Sequence, residues 1–136
     1  MKYLLDTNIC IYLIRQKPAA VLARVQARQA DDLAVSTITV AELEYGIARS
    51  RYPDRNRVAL LEFLVPLVIL DFDRRAAARY GDIRASLASR GKPIRPLDLL
   101  LAAQARAHGL TLVTNNEREF RRVEGLAVEN WAKTST

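Results

Sequence analysis

The sequence is poor in the residues that form cross-links or bind soft metal ions. Its 136 residues include one cysteine, Cys10, and one histidine, His108. A single cysteine excludes an internal disulfide and a cysteine-based zinc cluster, and a single histidine excludes a histidine-rich site. Any metal ion must therefore be held by oxygen ligands.

Long hydrophobic runs are also missing. No stretch approaches the roughly 18 to 20 consecutive apolar residues that span a bilayer, and the N-terminus lacks the basic start and apolar stretch of a signal peptide. Half of the residues are hydrophobic and 26% are charged, which is typical of a globular domain. We therefore expect a cytoplasmic protein in which residues 1–136 form a single domain.

Acidic residues are outnumbered by basic ones, and the basic ones are mostly arginine. The formal net charge is +6, with 17 arginines and 4 lysines. Seven basic residues lie between positions 74 and 95, against one acid: Arg74, Arg75, Arg79, Arg84, Arg90, Lys92 and Arg95. The planar guanidinium suits bidentate contact with phosphate, so this run indicates a polyanionic partner. A solvated helix face is the structural alternative, and the run alone does not decide between them.

Apolar patterns of strand and helix alternate along the chain without a repeat or linker. Short buried runs predict strands, which are Tyr3–Leu5, Leu33–Ser36, Leu67–Leu70, Thr111–Thr114 and Leu126–Glu129. Amphipathic stretches between them predict helices, which are Asn8–Gln16, Ala19–Gln29, Thr39–Arg49, Arg55–Leu64, Arg74–Ser89 and Leu97–Ala107, the last opened by Pro96. Strands alternating with helices predict a three-layer α/β/α domain with a mostly parallel central sheet.

Four acidic residues fall where such a sheet would gather them, although each has a local explanation. Asp6 follows the first strand and could cap the next helix. Glu42 stands three residues after Thr39, which is the spacing of a capping box. Asp98 lies in a first helical turn, where the helix dipole favours negative charge, and Glu119 lies in a polar loop, 115–119, that could simply be solvated.

Taken together, the four positions favour a shared site. The 115–119 loop and Asp6 follow strands, whereas Glu42 and Asp98 open helices at the same edge of the predicted sheet. Carboxylates gathered at the carboxyl edge of a parallel sheet repel one another unless a cation neutralises them. Hard divalent ions prefer oxygen ligands, so Mg²⁺ or Mn²⁺ fits this set. A metal site beside basic surface indicates phosphodiester hydrolysis.

Four short motifs in order carry a family resemblance over essentially the full length. They are Leu4-Leu5-Asp6-Thr7-Asn8, Thr39-Val40-Ala41-Glu42-Leu43, Pro96-Leu97-Asp98-Leu99-Leu100-Leu101-Ala102-Ala103 and Leu112-Val113-Thr114-Asn115-Asn116. With these motifs the chain resembles the PIN domain and, more closely, the VapC-type toxins, which are the ribonuclease half of bacterial type II toxin–antitoxin pairs.

The resemblance implies a Mg²⁺-dependent endoribonuclease. Asp6 and Asp98 match the main metal-ligating aspartates of the family, and Glu42 matches the acid that completes the site directly or through water. Many PIN domains carry an aspartate where this chain has Asn116, whereas Glu119 matches another position that is often acidic. The fourth ligand is thus Glu119 or Asn116, with Glu119 preferred.

Supporting roles at this site follow from the same motifs. Thr7 and Thr114 could hold the site through their hydroxyls, and a role in helix capping or turns is the alternative. In mechanistic terms, a metal held by the two aspartates would direct a water at an RNA phosphate, with Glu42 assisting ligation or proton transfer.

The resemblance also implies partners. They are a VapB-like antitoxin that blocks the site, a second toxin copy in a homodimer, and a structured RNA substrate, for which the similar subgroup suggests initiator tRNA cut in its anticodon loop. Cleavage of this kind would inhibit translation and growth. The alternative function is a non-catalytic RNA-binding or regulatory module. A phosphatase of the haloacid dehalogenase type is disfavoured, because it needs a second aspartate where Asn8 stands.

Overall fold

Five strands and seven α-helices build the protein, whose computed structural model describes residues 1–132. In chain order they are β1 (Tyr3–Leu5), α1 (Thr7–Arg15), α2 (Ala19–Gln26), β2 (Leu33–Ser36), α3 (Thr37–Ala48), α4 (Pro53–Leu64), β3 (Val68–Leu70), α5 (Arg74–Ser89), α6 (Pro96–Ala107), β4 (Thr111–Val113), α7 (Glu117–Phe120) and β5 (Val128–Glu129). A single 3₁₀ turn, Ala30–Asp32, leads into β2. Among the described residues, no helix is long and apolar enough to cross a membrane.

The strands form one sheet in the order β3-β2-β1-β4-β5, and every pair in it is parallel. Strand β1 lies at the centre, with Leu5 paired to Val35 of β2 and to Val113 of β4. Because the strands run parallel and in register, the residues that follow them stand side by side at the carboxyl edge of the sheet. Asp6 and Thr114 are two of these residues.

Both faces of the sheet are covered by helices, which confirms the three-layer prediction. Side chains alternate between faces along a strand, and Leu4 accordingly packs with α5 and α6 while Leu5 packs with α1 to α4. The core between the sheet and helices α1 to α4 also contains Trp131, whose buried ring packs edge-on against the ring of Tyr3 with centroids 5.1 Å apart. The guanidinium of Arg28 lies 4.3 Å from the Trp131 ring.

Most predicted elements are confirmed to within a few residues, and α5 matches its predicted bounds. Two local predictions are wrong. The 115–119 segment is not wholly a loop, because Glu117–Phe120 forms one helical turn. Helix α3 begins at Thr37 rather than near Thr39, because Ser36 caps it by accepting a hydrogen bond from the Ile38 backbone at 3.0 Å.

Candidate functional site

Asp6 is both a helix cap and a buried acid. Its Oδ1 accepts a hydrogen bond from the Ile9 backbone at 2.9 Å, which caps α1, and the Thr114 hydroxyl supplies a second hydrogen bond. Only 5% of the residue is exposed. Burial raises the pKa of Asp6 to about 6, against the opposing effect of these hydrogen bonds and with a smaller upward contribution from the charge of Glu42. The capping bond at Asp6 therefore does not exclude a role in a metal site.

Glu42 is fixed by a threonine from another helix. The Thr7 hydroxyl donates to Glu42 Oε1 at 2.7 Å and lies 3.2 Å from the hydroxyl of Thr39, which is fully buried. Since Ser36 caps α3, Glu42 falls in the second turn of the helix rather than in a capping box. The local explanation for Glu42 is thus wrong, and its carboxylate is held toward the residues that follow β1.

Asp98 lies in the first turn of α6 and is half-buried. Burial raises its pKa to about 6, and the charge of Glu119 acts in the same direction, while the guanidinium of Arg95 opposes it. The charges of Asp6 and Glu42 raise the pKa of Asp98 further. All four predicted acids therefore share one electrostatic neighbourhood, although they come from distant parts of the chain.

Glu119 and Asn116 form a single unit. Asn116 Nδ2 donates to Glu119 Oε2 at 2.5 Å, and the backbone N–H of Arg95 donates to Glu119 Oε1 at 3.0 Å. The turn of α7 brings these two side chains together, and the second bond ties them to the start of α6. Asn116 thus orients the neighbouring carboxylate with its amide nitrogen.

The carboxylates lie near one another without forming a closed cage. Among residues 1–132, no three Asp, Glu, His or Cys side chains are close enough to hold a metal ion as they stand. The donor set nevertheless suits a hard cation, because all four are carboxylates and two of them carry raised pKa values. A positive charge placed among them would offset the burial that chiefly raises both pKa values and the weaker repulsion between the acids.

Comparison with models of known protein families identifies the family of this chain. The model of the PIN domain matches residues 3–126, which include all four acids. The chain is a PIN domain.

Known VapC proteins are similar to this one over nearly their whole length. Ribonuclease VapC2 of Haemophilus influenzae is 49% identical over 131 residues, covering 96% of this chain and 98% of the relative. The tRNA(fMet)-specific endonuclease VapC of Shigella flexneri is 45% identical over 132 residues, covering 97% and 99%.

Solved structures agree with the fold. The DNA-bound VapBC complex of Salmonella typhimurium aligns with a TM-score of 0.91 at 41% identity, covering 96% of this chain and 98% of the matched one. VapBC2 of Rickettsia felis, bound to a promoter DNA fragment, gives a TM-score of 0.90 at 39% identity, covering 96% and 99%.

Several residues near the four acids take part in contacts that the sequence does not indicate. The sequence indicates only a capping role for Thr39, whereas its buried hydroxyl contacts the hydroxyl of Thr7. Asn115 donates to the Tyr12 hydroxyl at 2.6 Å and accepts from Asn8 at 3.4 Å, which links the ends of β1 and β4. Their positions within the recognised motifs were the available signal. The sequence places Arg95 in the basic run 74–95 but does not indicate that it acts on Asp98.

Arginines of α5 and of its C-cap have structural roles that the sequence does not reveal. Arg75 donates to the Ala107 carbonyl at 3.0 Å, Arg84 to the Tyr80 hydroxyl at 2.9 Å, and Arg90 to the Arg122 carbonyl at 2.9 Å. These bonds tie α5 to its surroundings or to itself. The run is therefore partly structural, and its charge alone does not locate a phosphate-binding surface.

Proposed function

We propose that this protein is a Mg²⁺-dependent endoribonuclease that acts as the toxin of a type II toxin–antitoxin pair. The observation that carries the proposal is the meeting of Asp6, Glu42, Asp98 and Glu119 at one edge of the sheet, with the pKa raised to about 6 at Asp6 and Asp98. Among the described residues, Arg95 is the one positive charge that lowers the pKa of Asp98, and it leaves that pKa raised, so the acids fit a site whose working form includes a cation. The VapC relatives named as ribonucleases support the reaction class.

In this proposal Asp6 and Asp98 hold the ion, with Glu42 and Glu119 completing the site directly or through water. Bound Mg²⁺, or Mn²⁺ in its place, would supply an activated water and stabilise charge on a phosphoryl oxygen. Glu42, held by the Thr7 hydroxyl at 2.7 Å, is positioned to accept a proton. Thr114 keeps Asp6 in place, and Asn116 does the same for Glu119.

The proposed substrate is a structured RNA, and more narrowly initiator tRNA cut in its anticodon loop, so that cleavage would inhibit translation and growth. Relatives from Shigella flexneri and Salmonella typhimurium, 45% and 41% identical, are named as tRNA(fMet)-specific endonucleases. The cytoplasm, where tRNA is found, is the expected compartment.

The proposed protein partners are a VapB-like antitoxin that blocks the site and a second toxin copy in a homodimer. Several matched structures are VapBC complexes, in which a VapC protein is solved with its antitoxin. Residues 1–136 are proposed to act as one domain.

Sequencing of RNA ends after controlled expression tests activity and substrate together. The wild type is compared with Asp98→Asn, which removes one charge at nearly constant volume. Asp82→Asn is the matched control, because Asp82 is exposed on α5 and outside the acidic cluster. We expect new tRNA ends with the wild type and with Asp82→Asn only.

Two outcomes would contradict the proposal. Equal cleavage by Asp98→Asn and wild type would remove the assigned site. RNA binding by the purified protein without cleavage in Mg²⁺ or Mn²⁺ would instead favour the non-catalytic RNA-binding module.

A further inference from the structure

An exposed tyrosine with an arginine over its ring lies on the helix that carries Glu42. Tyr45 of α3 is 64% exposed, and the guanidinium carbon of Arg49 lies 4.7 Å from the centre of its ring. Arg49 is itself exposed, and no carboxylate among residues 1–132 lies within ion-pair distance of it. One aromatic face and one free positive charge are therefore presented to solvent together.

The position of this pair on the helix connects it to the candidate active site. Residues three or four apart lie on the same side of an α-helix, with Cβ atoms about 5–6 Å apart. Glu42, Tyr45 and the C-cap residue Arg49 are spaced by three and four residues, so they form one row along α3 and its C-terminal end. Glu42 is fixed at one end of the row by its bond to Thr7. The tyrosine ring is thus the next group along this row after the carboxylate.

The negative charge of the acidic edge disfavours RNA binding, and an exposed tyrosine with an arginine can compensate by contacting the RNA nearby. Four carboxylates carry more negative charge than one divalent cation neutralises, so an RNA strand still meets repulsion at its phosphates, and contacts beside the acids would add affinity. Unpaired bases of RNA loops stack on aromatic rings and on arginine planes, and every base offers such a face. A tyrosine with arginine over one ring face has the other face available for this contact, and the guanidinium adds attraction for phosphate.

We propose that Tyr45, with Arg49 over its ring, is the stacking position for an unpaired base next to the phosphate that is cleaved. The inference rests on the proposed ribonuclease function and adds a substrate-binding residue outside the acidic cluster. It also selects an RNA loop or single strand over a continuous duplex, since bases inside a helix are not free to stack on protein. Tyr45 binds substrate here and takes no part in proton transfer.

Steady-state cleavage of a tRNA anticodon stem-loop tests this role with Tyr45→Ala and Tyr45→Phe. Loss of the ring should raise KM by roughly ten- to a hundred-fold, as removal of one base–aromatic stack does, with a smaller change in kcat. Phenylalanine keeps the ring and should stay within about two-fold of wild type. The dissociation constant for the same RNA, measured in the Asp98→Asn background with EDTA, should follow the same order.

Tyr52 provides a matched control. It is also exposed, at 54%, and has the guanidinium groups of Arg51 and Arg55 at 5.7 and 5.8 Å from its ring, but it precedes α4 and lies off the Glu42 row. Its side chain makes no capping hydrogen bond, so Tyr52→Ala should fold normally and leave KM nearly unchanged. Circular dichroism checks the fold of each variant.

The outcomes separate this inference from the function on which it rests. If the wild type cleaves RNA and Tyr45→Ala has an unchanged KM, the stacking role is wrong and the ribonuclease function stands. An equal rise in KM for Tyr52→Ala would show a general surface effect and also overturn the assignment. Loss of antitoxin binding or of dimerisation in Tyr45→Ala, with KM unchanged, would assign the residue to a protein interface instead. A wild type that cleaves no RNA would overturn the function itself.

Discussion

The candidate site has an inner half, Asp6 and Glu42, and an outer half, Asp98 and Glu119, and the two are built differently. The inner half is held by threonine hydroxyls: Asp6, which follows β1 and is only 5% exposed, bonds to Thr114, and Glu42, in the second turn of α3, bonds to Thr7. The outer half is held by the exposed Asn116 amide and by the backbone of Arg95. Position is thus fixed in the inner half and adjustable in the outer half.

This difference explains how four acids share a neighbourhood without forming a closed cage. Buried hydroxyl contacts leave the inner acids little freedom, whereas water can replace contacts at the exposed Asn116. A cation entering the site is therefore expected to draw the outer acids toward the inner ones. The inner half would decide where the ion sits, and the outer half how tightly it is held.

The largest expected contrast is between removing a charge from each half. Asp6→Asn should lower kcat/KM for RNA by more than about a hundred-fold, beyond the 10–100-fold typical of residues that only orient a metal ligand. Glu119→Gln should lower it by roughly ten-fold, in the lower part of that range. The measurement is cleavage of a tRNA substrate across a Mg²⁺ series, and a larger loss for Glu119→Gln would reverse the assignment of the halves.

The groups that hold the acids should show the same contrast at a smaller scale. Thr7→Val removes the hydroxyl that donates to Glu42 at nearly constant shape, and Asn116→Ala removes the amide that donates to Glu119. We expect metal affinity to fall toward a hundred-fold for Thr7→Val and toward ten-fold for Asn116→Ala, the two ends of the usual range. Calorimetric titration with Mn²⁺ measures both, and equal losses would show that the outer half is as rigid as the inner.

Stability against pH tests the buried charge of the inner half in metal-free buffer. The pKa of Asp6 is raised from 3.8 to about 6, so the folded protein binds more protons than the unfolded chain between these values. The free energy of unfolding therefore falls as pH rises through this window. Asp6→Asn keeps a capping residue and removes the charge, so it should exceed wild type in stability by on the order of 2 kcal/mol at pH 8.

Urea unfolding of both proteins at pH 4 and pH 8 in EDTA measures this difference, which should nearly vanish at pH 4. Adding Mg²⁺ at pH 8 should stabilise the wild type and leave Asp6→Asn nearly unchanged, because the ion binds only the folded state. A variant less stable than wild type at pH 8 would mean that burial of Asp6 carries no such penalty.

The smallest effect is expected outside both halves, in the hydrogen bond between Asn115 and Tyr12. Tyr12→Phe removes the acceptor of the Asn115 amide, now 2.6 Å away, and should cost about 1 kcal/mol of stability. The rate of RNA cleavage should stay within about three-fold of wild type, because none of the four acids loses a hydrogen bond. If Tyr12→Phe lowered metal affinity as much as Thr7→Val does, Tyr12 and Asn115 would belong to the inner half of the site.

The elements that the sequence predicts well are those decided by local pattern. Helix α5 has its predicted bounds because Asp73 caps it, accepting from the Ala76 backbone at 2.9 Å, and an apolar stripe runs along it. The turn of α7 has four residues and no periodicity, and a contact across 24 positions, between Glu119 and the Arg95 backbone, helps to hold it. Such long-range contacts are not visible in a local pattern.

The sequence predicts that the four acids lie near one another, as they do, but its capping-box explanation for Glu42 is wrong. Thr39 and Glu42 have the spacing of a capping box, and the neighbouring Ser36 is an equally good cap by composition. The competition is decided by β2, which ends at Ser36 and so starts the helix earlier. The hydrogen bond from Asn116 to Glu119 is also not visible in the sequence, which suggests the two residues only as alternative metal ligands.

The central place of β1 in the sheet has a consequence for synthesis of the chain. β1 is synthesised long before β4, which is one of its two neighbours in the sheet, so Tyr3 can pair with Thr111 and Leu5 with Val113 only after β4 has been made. Pairing across this separation is slow compared with local contacts, and Asp98 and Glu119 are themselves made late. A nascent chain therefore has no assembled site until most of its length has emerged.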